Sequence, residues 1–396
     1  MRRKLLLRIA ALCTILTAVT ACVYPFEPVI EGFDSRLVVE GDIHIGSTST
    51  FNFSRVLPLD SDDYQSEPLR ITGYIEGEDG SRVTAMGSTS HLEYASYYAP
   101  SSSLIFDTSN LSDSQRYRLH FKEESSGAEY ESDWLEVIQP PTIDDLSYIL
   151  DEDRGELNVA LSMHCNGHSH FRWHYREEWE YHTDAWANYY YEPMYDALVA
   201  FGLFENNYYC WSSYISPEIK VFSTADQVED RFVDLEFHRV PRTNIRLQTV
   251  YHIEVYLEAL DEDAYNYWQN IRQNSEGQGT IFSPTPSQMT GNIHCISDPT
   301  VPVIGYVGAS AQSTAGMYYL NEDEHFYKNP SPAEFEILEI QPEEFLQYYR
   351  RGYAPLEVIS VMGQPPRYQW APRRCVDCRT SGGNKNKPAG WPNDHR

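Results

Sequence analysis

Two groups of residues in this sequence have side chains that could hold a metal or carry out redox chemistry. One group is the pair Cys375 and Cys378, and the other is a set of closely spaced histidines at His164, His168, His170 and His174. A redox-active Cys-x-x-Cys pair is expected at a helix N-terminus within a βαβ unit, and a zinc knuckle needs a second pair of ligands. The flanking sequence has neither feature. We therefore predict disulfides, with Cys375 and Cys378 bridged to each other or bonded to Cys210 and Cys295.

The histidines are spaced like residues on one face of a strand. All four have even numbers, so a straight strand would place His170 and His174 on the same side, roughly 13 Å apart at about 3.3 Å per residue. Asn166-Gly167 predicts a turn, which could bring His164 and Cys165 near His168 or His170 and form a zinc or copper site. No further ligand at a fixed spacing completes such a site. We expect strand histidines, with no metal and no cofactor.

Motifs of known catalytic chemistry do not occur in the sequence. It has no Gly-x-Ser-x-Gly, no His-Glu-x-x-His, no phosphate-binding glycine loop and no dinucleotide fingerprint. We predict a protein that is not an enzyme and has no catalytic residues. A hydrolase with two paired carboxylates stays open as an alternative, because such pairs meet in space and not in sequence.

Aromatic residues are concentrated in one part of the chain. Of the 44 residues from Phe171 to Tyr214, 16 are Phe, Trp or Tyr, against 14% in the whole sequence. Residues 183–207 lack clear strand alternation and resemble an insertion, so their rings could be presented to a partner. The candidate binding surface consists of Trp186, Tyr189, Tyr190, Tyr191 and Tyr195. The alternative is a tyrosine-rich β-core with an aromatic loop.

The elements that would position these residues are mainly β-strands. Residues 36–140 contain short β-rich runs between turns, and Tyr117, Leu119 and Phe121 alternate with polar residues as one buried face requires. Leu111 lies six residues before Tyr117 across a polar corner, a spacing typical of the tyrosine corner of immunoglobulin-like sandwiches. We predict an immunoglobulin-like β-sandwich that ends at the Pro140-Pro141 hinge.

A second β-rich domain is predicted over residues 141–325, and a C-terminal segment over 326–396. The second domain includes the insertion and a helix at 261–275, with Asp261 as N-cap and one apolar face. The C-terminal segment has a short helix from Pro342 to Arg351 and an irregular Cys-x-x-Cys tail. Its last twenty residues are rich in Gly and Pro, and we expect them to be extended and exposed. The fold class is therefore mainly β, with one or two short helices.

The N-terminus has the pattern of a bacterial lipoprotein signal. A basic start, an apolar run and small residues lead to Cys22, which predicts a signal peptide at 1–21, a lipid on Cys22 and a tether at 22–35. The net charge of the whole chain is -28, which argues against nucleic acid as a partner. Because an acidic body is repelled by anionic lipid, the lipid chains themselves would hold the protein at the membrane.

Several segments together resemble the Bacteroidota outer-membrane lipoproteins of the family of domain of unknown function 4249. They are the Cys22 motif, LVVEGDI (37–43), SPTPSQMTGNIHCISDP (283–299), VIGY (303–306) and CVDCRTSGGNKNKP (375–388). The resemblance implies an accessory of an outer-membrane TonB-dependent transporter, on the cell surface or the periplasmic face. We therefore expect a lipid-anchored cell-envelope protein that binds an outer-membrane barrel protein or its ligand. A structural or adhesive lipoprotein is the alternative of another class.

Overall fold

The chain folds mainly as β-strands, which form two sandwiches and a smaller C-terminal unit. The computed structural model describes residues 36–56, 69–91, 101–202, 205–218, 220–226, 229–276, 291–321, 326–329 and 335–392. This confirms the predicted fold class, including the short helices. The signal peptide, Cys22 and the tether lie outside the described residues.

The first sandwich begins with alternating strands. Tyr117, Leu119 and Phe121 are fully buried, while Arg118 and His120 on the other face are half-buried, which confirms the predicted alternation. The Tyr117 hydroxyl donates to the Ser112 carbonyl at 2.8 Å, so the predicted tyrosine corner is also present. The strands of this part are β1 (Leu37–Glu40), β2 (Ile43–His44), β3 (Thr48–Arg55), β4 (Ile71–Gly77), β5 (Arg82–Thr84), β6 (Gly87–His91), β7 (Ser101–Asp107), β8 (Tyr117–Glu123) and β9 (Glu129–Ser132).

The second sandwich packs a three-stranded sheet against a sheet of longer strands. In chain order, the elements from residue 142 to residue 320 are β10 (Thr142–Asp151), β11 (Glu156–His164), β12 (His170–His182), β13 (Tyr189–Glu192), β14 (Ala197–Ala200), β15 (Tyr209–Ile215), β16 (Lys220–Ser223), β17 (Arg231–Pro241), β18 (Val250–Leu260), α1 (Glu262–Glu276), β19 (Ile293–Cys295), β20 (Val303–Ile304), β21 (Ala309–Ser310) and β22 (Ser313–Leu320). One sheet has the order β10-β11-β17, and the other β15-β12-β18-β22 with β16 also on β12. Buried aliphatic and aromatic side chains from both sheets fill the space between them.

The chain returns to the first sandwich after leaving the second. β19 pairs with β9, β20 with β1 and β21 with β2, so residues 293–310 add strands to both sheets that the N-terminal segment began. The sheet orders become β20-β1-β3-β7-β6 and β19-β9-β8-β4-β5. Gly291 and Gly305 permit this close passage, because a Cβ on Gly291 would lie 1.6 Å from the Gly305 carbonyl oxygen.

Helix α1 lies where the two sandwiches meet. The Asp261 carboxylate accepts a hydrogen bond from the Ala264 amide at 2.7 Å, which caps the helix as predicted. Ala264 and Tyr267 are buried, and the Tyr267 ring contacts Tyr306 of the first sandwich. The capped apolar face thus explains both where the helix begins and what it packs against.

The C-terminal unit (residues 335–392) forms a three-stranded sheet of order β23-β25-β24. Its elements are β23 (Leu338–Glu339), α2 (Phe345–Arg350), β24 (Tyr353–Ile359) and β25 (Arg367–Pro372). A 3-10 turn at Pro342–Glu344 leads into α2, which confirms the predicted short helix.

The expectation that the last twenty residues are exposed holds for most of the described residues 377–392 but fails for Cys378 and Trp391. Trp391 is only 6% exposed and its Nε1 donates to the buried Glu180 carboxylate at 2.9 Å. Burying a large indole ring with a satisfied hydrogen bond offsets the cost of ordering a Gly- and Pro-rich chain.

Candidate functional site

The predicted insertion contains a β-hairpin that rests on the C-terminal unit. Strands β13 and β14 pair in antiparallel register from Tyr189 opposite Ala200 to Glu192 opposite Ala197. Asp196, in the connecting turn, has a left-handed φ of 47°, which aspartate tolerates better than most residues. The hairpin was not evident in the sequence because four consecutive residues of β13 are large or charged and show no alternation.

The five candidate aromatic residues fall into two groups. Trp186, Tyr190 and Tyr195 are 47%, 38% and 75% exposed, and Met194 beside them is 81% exposed. Tyr191 is only 4% exposed and Tyr189 is half-buried. We call Met194 and Tyr195, in the turn of the hairpin, together with Trp186, which lies just before β13, the aromatic tip. Tyr191 belongs to the packing of the hairpin and not to a presented surface.

Tyr191 fastens the hairpin to the C-terminal unit. Its ring lies 5.1 Å from that of Tyr349 and 5.8 Å from that of the fully buried Trp370. Its hydroxyl donates to the Asp196 carboxylate at 2.5 Å. Burial first, and this bond to an anion second, raise the pKa of Tyr191 to about 12, so it stays a neutral donor.

A disulfide joins the C-terminal unit to the second sandwich. Cys210 of β15 is bonded to Cys378, one of the pairings expected from the sequence. Cys295 and Cys375, the other disulfide candidates, are buried free thiols. Burial, and then the neighbouring Asp184, raise the pKa of Cys375, which keeps it a thiol.

A cavity of about 600 Å³ lies between the hairpin and the C-terminal unit. Tyr189, Tyr190 and Phe201 line it from the hairpin, while Tyr349 and Arg373 line it from the C-terminal unit. The aromatic tip does not line this cavity. The hairpin thus has an exposed outer tip and an inner side that faces an open cavity, and these two surfaces can serve different contacts.

A second cavity, of about 690 Å³, lies between the two sandwiches. Arg172 lies in it, with its Nη2 at 2.6 Å from the Glu258 carboxylate and also in contact with Asp42. The Arg172 guanidinium stacks on Trp268 at 4.6 Å from the ring centroid. Ser310 donates to Glu258 at 2.8 Å, and the Gly308 amide donates to Asp42 at 2.6 Å.

The electrostatics of this cluster fit a joint between the sandwiches better than acid–base catalysis. Burial alone would raise the pKa of Asp42, but the charge of Arg172, the nearby His44 and two hydrogen bonds lower it. A general acid needs a raised pKa, so Asp42 is poorly suited to that role. Both carboxylates that converge here already accept hydrogen bonds from the same guanidinium.

The predicted histidines are distributed over several contacts. Asn166 and Gly167 both have positive φ, which confirms the turn, and His164 contacts Asp144 at 2.9 Å. His170 and His174, both on β12, stack on Tyr265 and Tyr256. Among the residues that the structure describes, no group of three or more His, Cys, Asp or Glu side chains is placed to hold a metal ion.

Sequence reasoning missed Arg172 and Arg373. Arg172 has even parity on β12, which hinted only at the face it shares with His170 and His174. Its partner Asp42 lies 130 residues away, so no local pattern could reveal the pair. Arg373 directly follows β25 and lies two residues before the Cys-x-x-Cys motif, which carries no signal for a nearby guanidinium.

The comparisons with known proteins identify a family. Within the described ranges, no helix has the length and apolar character needed to cross a bilayer. No curated protein matches the chain. The family model described as domain of unknown function 4249 matches residues 23–315, or 293 of the 396 residues, and so ends before the Cys375–Pro388 motif. This match covers well over half of the sequence, and the chain therefore belongs to the family of domain of unknown function 4249.

Proposed function

We propose that this protein is a lipid-anchored accessory protein of the outer membrane that binds a partner membrane protein or its ligand. The resemblance described above implies that the partner belongs to a TonB-dependent transporter system. The aromatic tip is the proposed contact surface. The observation that carries the proposal is the strong exposure of Met194 and Tyr195 in the turn of a hairpin that packs through Tyr191, and of Trp186 just before that hairpin.

The physical argument rests on the cost of leaving these side chains in water. Large apolar groups clustered on a surface are typical of interaction sites, while single scattered ones need no explanation. Trp and Tyr contribute much of the energy of protein interfaces because their rings are large and lose little conformational freedom. The packing of Tyr191 against Trp370 and Tyr349 would keep the tip in place before a partner arrives.

Membrane attachment is proposed from the sequence alone. Removal of residues 1–21 takes away four basic residues and no acidic one, which leaves the mature protein at 26 minus 58, or -32. Such a body gains nothing from anionic lipid, so acyl chains on Cys22 would supply the attachment. We further propose that the protein is not an enzyme, since Asp42 and Glu258 already share one guanidinium.

The test is affinity capture of the tagged, full-length protein from detergent-solubilised outer membranes. We expect an outer-membrane barrel protein to be recovered, and recovery to fall at least tenfold with the double variant Trp186→Ala/Tyr195→Ala. Met194→Ala should weaken capture, while Met362→Ala removes a methionine that is even more exposed, at 103% against 81%, and serves as the matched control.

Two results would count against the proposal. One is repeated recovery of the protein without any partner. The other is equal capture by the wild-type protein and the double variant. A structural or adhesive lipoprotein would also use the aromatic tip, but it would contact another cell or matrix surface, and its deletion would leave nutrient uptake unchanged.

A further inference from the structure

The cavity between the hairpin and the C-terminal unit has the size and lining of a small-molecule site. Its volume of about 600 Å³ lies within the range of ligand pockets in proteins, about 300–1,000 Å³. Tyr189, Tyr190, Phe201 and Tyr349 supply aromatic rings to its lining. Such rings can lie against the flat apolar face of a cyclic ligand.

Arg373 is the positively charged group of this cavity that forms no ion pair with a described residue. Arg379, which also lines it, donates to the Asp377 carboxylate through Nε at 2.8 Å and Nη2 at 2.7 Å, so this pair is neutral. No described carboxylate forms an ion pair with Arg373. Its Nη2 donates to the Tyr349 carbonyl at 2.7 Å, and its Nε is buried without a partner.

The guanidinium of Arg373 is nevertheless held in place. It stacks on the Tyr349 ring with 4.1 Å between the guanidinium carbon and the ring centroid. The backbone around it is fixed too, because the Arg373 amide donates to Gly352 and the Arg373 carbonyl accepts from Val376 and Asp377. An oriented guanidinium with free donors is suited to bind a carboxylate.

Asn207 adds a neutral polar side chain to the lining of the cavity. The residue is only 9% exposed and lines the same cavity. Its carbonyl accepts a hydrogen bond from Cys378, but its side-chain amide makes none with the described residues. Because the amide atoms keep contact with solvent, this side chain can both donate to and accept from a hydroxyl group in the cavity. Glu192, also in the lining, forms no ion pair and can accept from a second hydroxyl.

We propose that this cavity binds an acidic monosaccharide, a ring that carries one carboxylate and several hydroxyl groups. Arg373 binds the carboxylate, Asn207 and Glu192 bind hydroxyl groups, and the tyrosine rings contact the sugar ring. The site goes beyond the proposed partner contact, because the aromatic tip lies outside it. Failure of one proposal therefore leaves the other standing.

The experiment is calorimetric titration of the full-length protein in detergent with D-glucuronate, D-glucuronamide, D-glucose and benzoate. We expect glucuronate to bind at least tenfold more tightly than glucuronamide or glucose, which have the ring and hydroxyl groups but no charge. This comparison uses the unchanged protein and does not depend on any variant. Equal affinity for glucuronate and glucuronamide, or no binding of glucuronate, would overturn the proposal. Benzoate binding as tightly as glucuronate would overturn the sugar class.

Variants then assign the contacts. Arg373→Gln should lower glucuronate affinity at least tenfold and leave glucose affinity unchanged, while Asn207→Ala should weaken both sugars several-fold. The double variant of the aromatic tip is the matched control and should bind glucuronate like the wild-type protein. Unchanged glucuronate affinity in a folded Arg373→Gln protein would refute the role of Arg373.

Discussion

Replacing Arg172 with methionine should destabilise the joint between the two sandwiches. Methionine retains much of the apolar stem but removes the charge that Asp42 and Glu258 share, and both carboxylates are almost completely buried, at 6% and 2% exposure. Breaking a buried ion pair by removing one partner costs about 3–5 kcal/mol. With an unfolding entropy of about 2.1 cal/mol/K per residue, this corresponds to a fall in melting temperature of roughly 4–6 °C for a chain of 396 residues.

The pH dependence of this loss gives a sharper test than its size. In the wild-type protein Arg172 lowers the pKa of Asp42 against the opposing effect of burial. This contribution to stability is therefore complete above the unfolded pKa of about 3.9 and is lost as the pH falls through the lower folded pKa. In Arg172→Met only His44 and the Gly308 amide still oppose the effect of burial, so the pKa of Asp42 rises. The difference in unfolding free energy between the wild-type protein and the variant should then be largest near pH 7 and should shrink as the pH falls towards 4.

Scanning calorimetry of both purified proteins between pH 4 and pH 7 measures this difference. Arg239→Met is the control, because it removes an Arg–Glu pair whose side chains are 51% and 41% exposed, and exposed pairs contribute less than about 1 kcal/mol. A variant that melts with wild-type protein at pH 7, or whose deficit grows as the pH falls, would refute the argument that Arg172 compensates buried charge.

Two further predictions concern the disulfide and the tyrosine corner. Cys210→Ser removes a disulfide that spans 168 residues, so the free energy of unfolding should fall by about 5 kcal/mol by the chain-entropy relation. A reductant should lower the melting temperature of the wild-type protein and of Cys375→Ser but not that of Cys210→Ser. Equal sensitivity of all three proteins to the reductant would contradict the pairing. Tyr117→Phe removes the 2.8 Å bond to Ser112 and should cost about 1 kcal/mol in urea unfolding, whereas Tyr195→Phe, 75% exposed, should cost nothing measurable.

Features that depend on residues close in sequence could be predicted well. The alternation of Tyr117, Leu119 and Phe121, the Asn166-Gly167 turn and the Asp261 cap all follow from contacts within a few residues. Backbone periodicity and capping chemistry act over such distances, so the sequence alone carries them. The enrichment of aromatic residues likewise pointed to the segment that forms the hairpin, although not to the burial of Tyr191.

Only the tertiary structure decided which distant residues meet. The Gly308 amide reaches Asp42 across 266 residues, Arg172 reaches it across 130, and Cys378 reaches Cys210 across 168. The same holds for Asn207 and Arg373, which line one cavity although no pattern links them. Such contacts depend on how the sheets stack and on where the chain returns to a sheet. The local sequence does not distinguish between several cysteines or carboxylates that could serve as the partner. The packing of whole sheets decides which of these partners come into contact, so the pairing is known only from the folded chain.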